Sequence, residues 1–107
     1  MNSTAQKIYN ELSQYIERQN AALASTEHLP TDQKPIILKL HDSRTGWRWT
    51  VYEGQITRYF DGLTTTTLFG RVQGFEDEIG YFDLQEIIEG SMAGSISYLH
   101  WHKTAGA

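Results

Sequence analysis

Two histidines near the end of this 107-residue chain, His100 and His102, are the first side chains whose spacing could support chemistry. Residues two apart on a strand project from the same face, and such a pair can hold a metal ion. A catalytic zinc site needs a third protein ligand, which only His41, His28 or a distant carboxylate could supply, and no motif fixes its position. We therefore predict no metal and no cofactor. A metal-binding or hydrolytic domain using His100 and His102 stays as an alternative.

Acidic side chains form the second candidate group, because residues 72–102 contain six carboxylates and neither Lys nor Arg. Two carboxylates catalyse hydrolysis only when a cleft holds them at a defined separation, which proximity in a turn does not predict. Ser91 and Ser95 lack a G-x-S-x-G motif, and no phosphate-binding loop is present, so we predict no catalytic residue.

A face of one charge instead attracts basic partners and repels nucleic-acid phosphates. We predict a partner-binding surface formed by Glu76, Asp77, Glu78, Asp83, Glu86 and Glu89. The alternative is an acidic surface that is only solvated.

Arginines interleaved with aromatic residues give a further alternative, a sheet that binds single-stranded nucleic acid by stacking bases on exposed rings. Against it, the aromatic residues alternate as a sheet core does, and the net charge is −4 without a basic cluster. Direct nucleic-acid binding is therefore not expected. The residues concerned are Arg44, Arg48, Arg58, Arg71, Trp47, Trp49, Tyr52, Tyr59 and Phe60.

Composition indicates one globular domain over residues 1–107. Hydrophobic residues make up 39% of the chain and aromatic residues 12%, which is enough for one modest core. The absence of cysteine excludes disulfides and thiolate sites. No run approaches the roughly 18 apolar residues of a membrane span, and the first residues do not resemble a signal peptide. We expect a cytoplasmic protein without membrane contact.

Hydrophobic periodicity predicts the elements that must position these groups. Apolar residues at helical spacing indicate an amphipathic helix over 4–23, capped by Ser3 or Thr4, and a linker over 24–35. From residue 36 the period becomes two, which predicts a sheet over 36–103.

Within that sheet, strands over residues 47–52 and 55–60 are predicted to form a hairpin around Glu53 and Gly54. A further strand is expected over Thr64 to Gln73, then a short strand over 79–82 and a last strand over 95–103. Asp83 is predicted to cap a short helix over 83–89. The fold class is therefore α+β, with an N-terminal amphipathic helix on a meandering antiparallel sheet and a short helix before the last strand.

The segment Thr67 to Glu86 concentrates aromatic residues and glycines. We predict Phe69, Phe75, Tyr81 and Phe82 as core anchors, because large aromatic side chains usually contribute most to a small core.

From Leu68 to Glu86 the chain reads L-F-G-x-V-x-G-F-E-x-E-[LI]-G-Y-F-x-L-x-E, with a strand ending in a tryptophan-containing segment upstream over 34–51. This pattern resembles a family of small bacterial, plasmid- and phage-borne proteins, domain of unknown function 2958, over roughly residues 27–102. The resemblance implies no activity and no catalytic residue. It implies a protein of a mobile genetic element, for which we expect a non-enzymatic inhibitor. Such a protein would bind a nucleic-acid-handling host complex of the anti-CRISPR or anti-restriction type through its acidic surface.

Overall fold

The structure is a computed structural model that describes residues 1–19 and 27–104. Its five-stranded antiparallel sheet has the order β4-β3-β2-β1-β7, and β5 and β6 form a separate small hairpin. This architecture confirms the predicted α+β fold. The elements are α1 (Ser3–Arg18), a 3-10 turn (Thr31–Gln33), β1 (Leu38–Asp42), β2 (Arg48–Arg58), β3 (Thr64–Gln73), β4 (Asp77–Asp83), α2 (Leu84–Gly90), β5 (Met92–Ala93), β6 (Ile96–Ser97) and β7 (Leu99–Lys103).

Helix α1 begins one residue earlier than expected. The side chain of Asn2 accepts a hydrogen bond from the backbone N–H of Ala5 at 2.9 Å, so the cap predicted at Ser3 or Thr4 is wrong. Ser3 already lies inside the helix, while Asn2 keeps the extended backbone that a cap requires. Residues 20–23 of the predicted helix and 24–26 of the predicted linker lie outside the described residues. Within those residues, no helix has the length and apolar composition needed to cross a membrane.

Strand β2 is continuous, so the hairpin predicted around Glu53 and Gly54 is wrong. The inward-facing apolar positions change from odd to even numbers there, which is why the pattern indicates a turn. Instead, a β-bulge between Val51 and Glu53 changes which alternate residues of β2 face the helices. Gly54 then faces α1, where an added Cβ would lie 2.4 Å from Cγ2 of Ile16. The helix can therefore approach the sheet only because position 54 has no side chain.

The two helices cover one face of the sheet, and the core lies between them. Leu12 and Ile16 from α1 meet Leu38 and Leu68 from the sheet and Ile88 from α2, and all five are buried. Within the described residues, no α-helix covers the opposite face, which we call the open face; the segment 27–34 borders it beside Phe69 and Tyr81. The open face presents the exposed side chains of Lys39, His41, Arg48, Arg71, His100 and His102.

Three of the four predicted aromatic anchors are not in the core. Phe75 is 94% exposed in the turn before β4, and Tyr81 is 68% exposed on β4. Phe82 packs against the core, and Phe69 is half-buried on the open face. Alternate residues of β4 point to the open face, as in any strand, and the aromatic type of Tyr81 does not change that direction. Because β4 is an edge strand, Tyr81 also lacks a neighbouring strand on one side.

The predicted last strand over 95–103 is divided in two. β6 pairs with β5, whereas β7 pairs with β1. Tyr98 lies between them, and its N–H donates to the carbonyl of Ser91 at 2.8 Å. Because the strand is interrupted at Tyr98, β7 pairs with β1 and forms one edge of the sheet.

Substitution of Gly54 by Ala should lower the free energy of unfolding by about 1–3 kcal/mol, because the new methyl group overpacks the contact with Ile16. Urea unfolding followed by circular dichroism measures the change. Gly80→Ala is the matched control, since an added Cβ there meets no atom within 4 Å. Equal stability of the two variants would contradict the close helix contact.

Candidate functional site

The six carboxylates predicted as one surface are divided by the fold. Asp77 lies on the open face, where Arg71 Nε donates to its Oδ1 at 2.6 Å. This hydrogen bond lowers the pKa of Asp77 below its ordinary value. Glu89 lies 3.8 Å from the N-terminal amine of Met1 and accepts a hydrogen bond from Gln85 at 3.4 Å. Asp77 and Glu89 therefore belong to other parts of the surface.

Asp83 has the capping role that the sequence predicts. Its Oδ1 accepts hydrogen bonds from the backbone N–H groups of Gln85 at 2.7 Å and Glu86 at 3.2 Å. These contacts hold the start of α2 against the end of β4.

The remaining three carboxylates, Glu76, Glu78 and Glu86, lie beside one aromatic groove on the helix-covered side of the sheet. A cavity of about 320 Å³ between β4 and α2 is lined by Glu78 and Glu86. A second cavity of about 280 Å³ is lined by Glu76 and Glu78, and a third of about 230 Å³ by Glu86. Trp47 lines all three cavities. We call this surface the Trp47 groove; its apolar lining includes Trp47, Trp49, Val72, Phe75, Phe82 and Ile87, and Ile79 and Tyr81 of β4 also border the first cavity.

The turn between β1 and β2 positions Trp47. Asp42 Oδ1 accepts hydrogen bonds from the N–H groups of Arg44 at 2.8 Å and Thr45 at 3.1 Å. The backbone N–H of Asp42 donates to the carbonyl of Trp47 at 2.9 Å, which closes the turn. Gly46 occupies the left-handed region at φ +80, where a side chain would be strained.

The ring of Trp47 lies over the end of β3, in space that a side chain at position 74 would occupy. An added Cβ on Gly74 would lie 2.6 Å from three atoms of that ring. The ring of Phe75 meets Trp47 edge-on with centroids 5.3 Å apart, and Trp49 lies at 6.1 Å. Three aromatic rings therefore form a continuous apolar floor beside the carboxylates.

The buried carboxyl group of Asp42 stays ionised in this turn. Burial favours the neutral acid, but the hydrogen bonds from Thr45 and Arg44 and the charge of Arg44 outweigh it, so the pKa of Asp42 lies below its ordinary value. The charge of Asp42 thus contributes to the geometry of the Trp47 groove.

The histidines meet on the open face. His41 of β1 pairs with His100 of β7, and their rings stack with centroids 4.9 Å apart and an interplanar angle of 19°. His102 pairs with Lys39 in the same register. Among residues 1–19 and 27–104, no three His, Cys, Asp or Glu side chains form a group that could hold a metal ion.

The residues of the nucleic-acid alternative also separate. Trp47 and Trp49 pack on the helix-covered side, whereas Arg48 and Arg71 lie on the open face. The guanidinium of Arg44 lies over the ring of Tyr98 at 5.0 Å. The predicted set therefore does not form one binding surface.

Sequence reasoning missed Trp47 and Phe75 as surface residues. For Phe75 a local signal exists, because it stands between Gly74 and the acidic run 76–78, a setting typical of an exposed turn. For Trp47 there is none, because its partial exposure depends on Gly74, which follows β3 and is far from Trp47 in the chain.

Comparisons of the chain with family models, curated proteins and solved structures give no match. The resemblance to domain of unknown function 2958 stays a prediction.

Substitution of Asp42 by Ala should cost about 1–3 kcal/mol of unfolding free energy at neutral pH, because two part-buried N–H groups lose a charged acceptor. A lowered folded-state pKa gives stability that is present above pH about 4 and is lost as pH falls through that pKa. The stability of the variant should therefore decline less on acidification. Urea titrations at neutral and acidic pH measure both effects.

Asp61→Ala is the control, since Asp61 accepts a single exposed N–H bond, from Leu63. An acid dependence in Asp42→Ala equal to that of the unsubstituted chain would refute the ionised state of Asp42.

Proposed function

We propose that the protein is a non-enzymatic binding module that holds a basic segment of a partner protein in the Trp47 groove. The observation that carries this proposal is the position of Trp47, which lines three adjoining cavities beside Glu76, Glu78 and Glu86. An aromatic floor beside carboxylates matches the two parts of an arginine or lysine side chain. The apolar stem packs on rings while the charged end meets the acids.

The three carboxylates are available to a ligand. Within the described residues, the side chains of Glu76, Glu78 and Glu86 take part in no ion pair or hydrogen bond. Unpaired charges of one sign give a field that attracts a basic segment and orients it during association.

Arginine fits this groove better than lysine. A guanidinium can stack on an indole ring and, at the same time, donate two parallel hydrogen bonds to a carboxylate. A cation over a tryptophan ring contributes about 0.5–2 kcal/mol, depending on how well it is desolvated. The Trp47 ring, with Glu78 and Glu86 beside it, offers both contacts.

The finer proposal is that the partner is a nucleic-acid-handling complex of a host cell, and that binding blocks it without turnover. Its support is the acidic groove, because proteins that bind DNA or RNA carry basic channels that such a surface can occupy. The resemblance to a family of proteins encoded on mobile genetic elements supports the same proposal, that the partner belongs to a host cell.

A short peptide of alternating arginine and apolar residues should bind the protein, and its citrulline counterpart should bind much more weakly. Isothermal titration calorimetry measures both affinities. Glu78→Gln combined with Glu86→Gln should weaken the arginine peptide about 2- to 30-fold, since each exposed ion pair contributes about 0.2–1 kcal/mol. Trp47→Ala should weaken binding of both peptides.

The control is Glu17→Gln on α1, which removes a similar exposed carboxylate that pairs with Arg58 outside the groove. It should leave peptide affinity unchanged. Thermal unfolding of each variant separates loss of binding from loss of folding. Equal affinity of the groove variants and the control would show that the basic peptide binds elsewhere or without specificity.

A further inference from the structure

The open face of the sheet has the opposite charge to the Trp47 groove. Strand register brings five basic or titratable side chains together there: His41 lies between Arg48 and His100, and Lys39 lies beside His102. Neighbouring strands are about 4.8 Å apart and alternate residues of a strand about 7 Å apart. The five groups, Lys39, His41, Arg48, His100 and His102, therefore form one patch, which we call the basic patch.

No described carboxylate neutralises the basic patch. The side chains of Lys39, Arg48 and the three histidines make no ion pair or hydrogen bond within the described residues. Asp77, on the same face, is held by Arg71, and the buried Glu53 is held by Lys34 at 2.7 Å. The basic patch is therefore able to receive an anion.

A shallow depression of about 400 Å³ follows the basic patch across β7, β1 and β2. Thr50 and Gln73 add a hydroxyl and an amide to its lining. The depression extends over several strands, so it fits an extended anionic chain better than a single small ion.

Aromatic rings continue the same face beyond the basic patch. Phe69 lies between Tyr52 and Tyr81, with ring centroids 6.5 Å and 5.0 Å away. Phe69 and Tyr81 are opposite each other in the register of β3 and β4. The ammonium of Lys34 lies over the Phe69 ring, 5.4 Å from its centroid. The exposed ring of Tyr81 and the half-buried ring of Tyr52 offer flat surfaces on which nucleobases can stack.

We propose that the open face binds single-stranded nucleic acid. The phosphates contact Lys39, Arg48 and the histidines, while bases stack on Tyr81 and Tyr52. Two permanent cations would bind a duplex only weakly, and the bases of a duplex are already stacked on each other, so they cannot stack on the rings. An unpaired strand can use both the basic patch and the rings. The net charge of −4 does not oppose this binding, because the unpaired acids of the Trp47 groove lie on the other side of the sheet.

The test is fluorescence anisotropy with a labelled, mixed-sequence single strand of about 12 nucleotides, a length within the range of sheet-based single-strand binders. Binding should be measurable at about 50 mM salt and should weaken steeply towards about 200 mM. The duplex of the same sequence and inorganic phosphate should compete poorly. The absence of single-strand binding at low salt, or equal competition by the duplex or by phosphate, would overturn the proposal.

Two variants locate the contact. Lys39→Glu combined with Arg48→Glu should weaken single-strand binding at least tenfold and reduce the slope of log affinity against log salt by about 1.4, since each phosphate contact contributes about 0.7. Tyr81→Ala should weaken binding about tenfold with an unchanged salt slope, because stacking releases no counterions.

Lys7→Glu with Arg18→Glu on α1 is the charge-matched control, and Tyr59→Ala removes an exposed ring of the same type elsewhere. Both controls should bind like the unsubstituted chain; equal loss in the controls would overturn the assignment to the open face. Arginine-peptide binding in the Lys39→Glu, Arg48→Glu variant should persist, so a failure of this proposal is distinguishable from a failure of the Trp47 groove.

Discussion

The alternation of side chains between the two faces of one five-stranded sheet is the constraint on which the rest of this structure depends. Helices α1 and α2 cover one face and bury residues such as Leu12, Leu68 and Ile88 against it. With a single helical layer, much of the other face stays open to solvent, although the Lys34–Glu53 pair on it is buried. The margin of the covered face beyond α2 is partly open as well. Both candidate binding surfaces lie in these two places, so they follow from how a chain of this length can cover a sheet.

The β-bulge between Val51 and Glu53 keeps that alternation compatible with a packed core. Trp49 and Val51 point to the helices before the bulge, and Gly54 does so after it. Without the extra residue, Glu53 would face the helix layer. Instead it lies on the opposite side and pairs with Lys34, which satisfies one carboxylate oxygen in a buried position. Such pairs add little net stability but strongly penalise any register that separates the two charges, so the pair favours the observed register.

The alternation of side chains between the two faces of the sheet also separates the charges. Glu76, Glu78 and Glu86 remain on the helix-covered side, while Lys39 and Arg48 point the other way. A net charge of −4 therefore describes neither surface. Because fields act over about 8–10 Å in physiological salt, a ligand approaching one side of the sheet responds mainly to the charges on that side.

The sequence by itself determined the features that depend on near neighbours: the amphipathic α1, the strand over Thr64–Gln73, the cap at Asp83 and the α+β class. Helical periodicity, strand alternation and capping each involve residues a few positions apart, so they can be read from the chain. Only the tertiary structure decided that Phe75 and Tyr81 are exposed, that Trp47 lies over Gly74, and that His41 meets His100. It also divided the six carboxylates. These outcomes depend on which strand forms the edge, where a bulge shifts the phase and which face the helices cover, and all three are set by contacts between residues far apart in the chain.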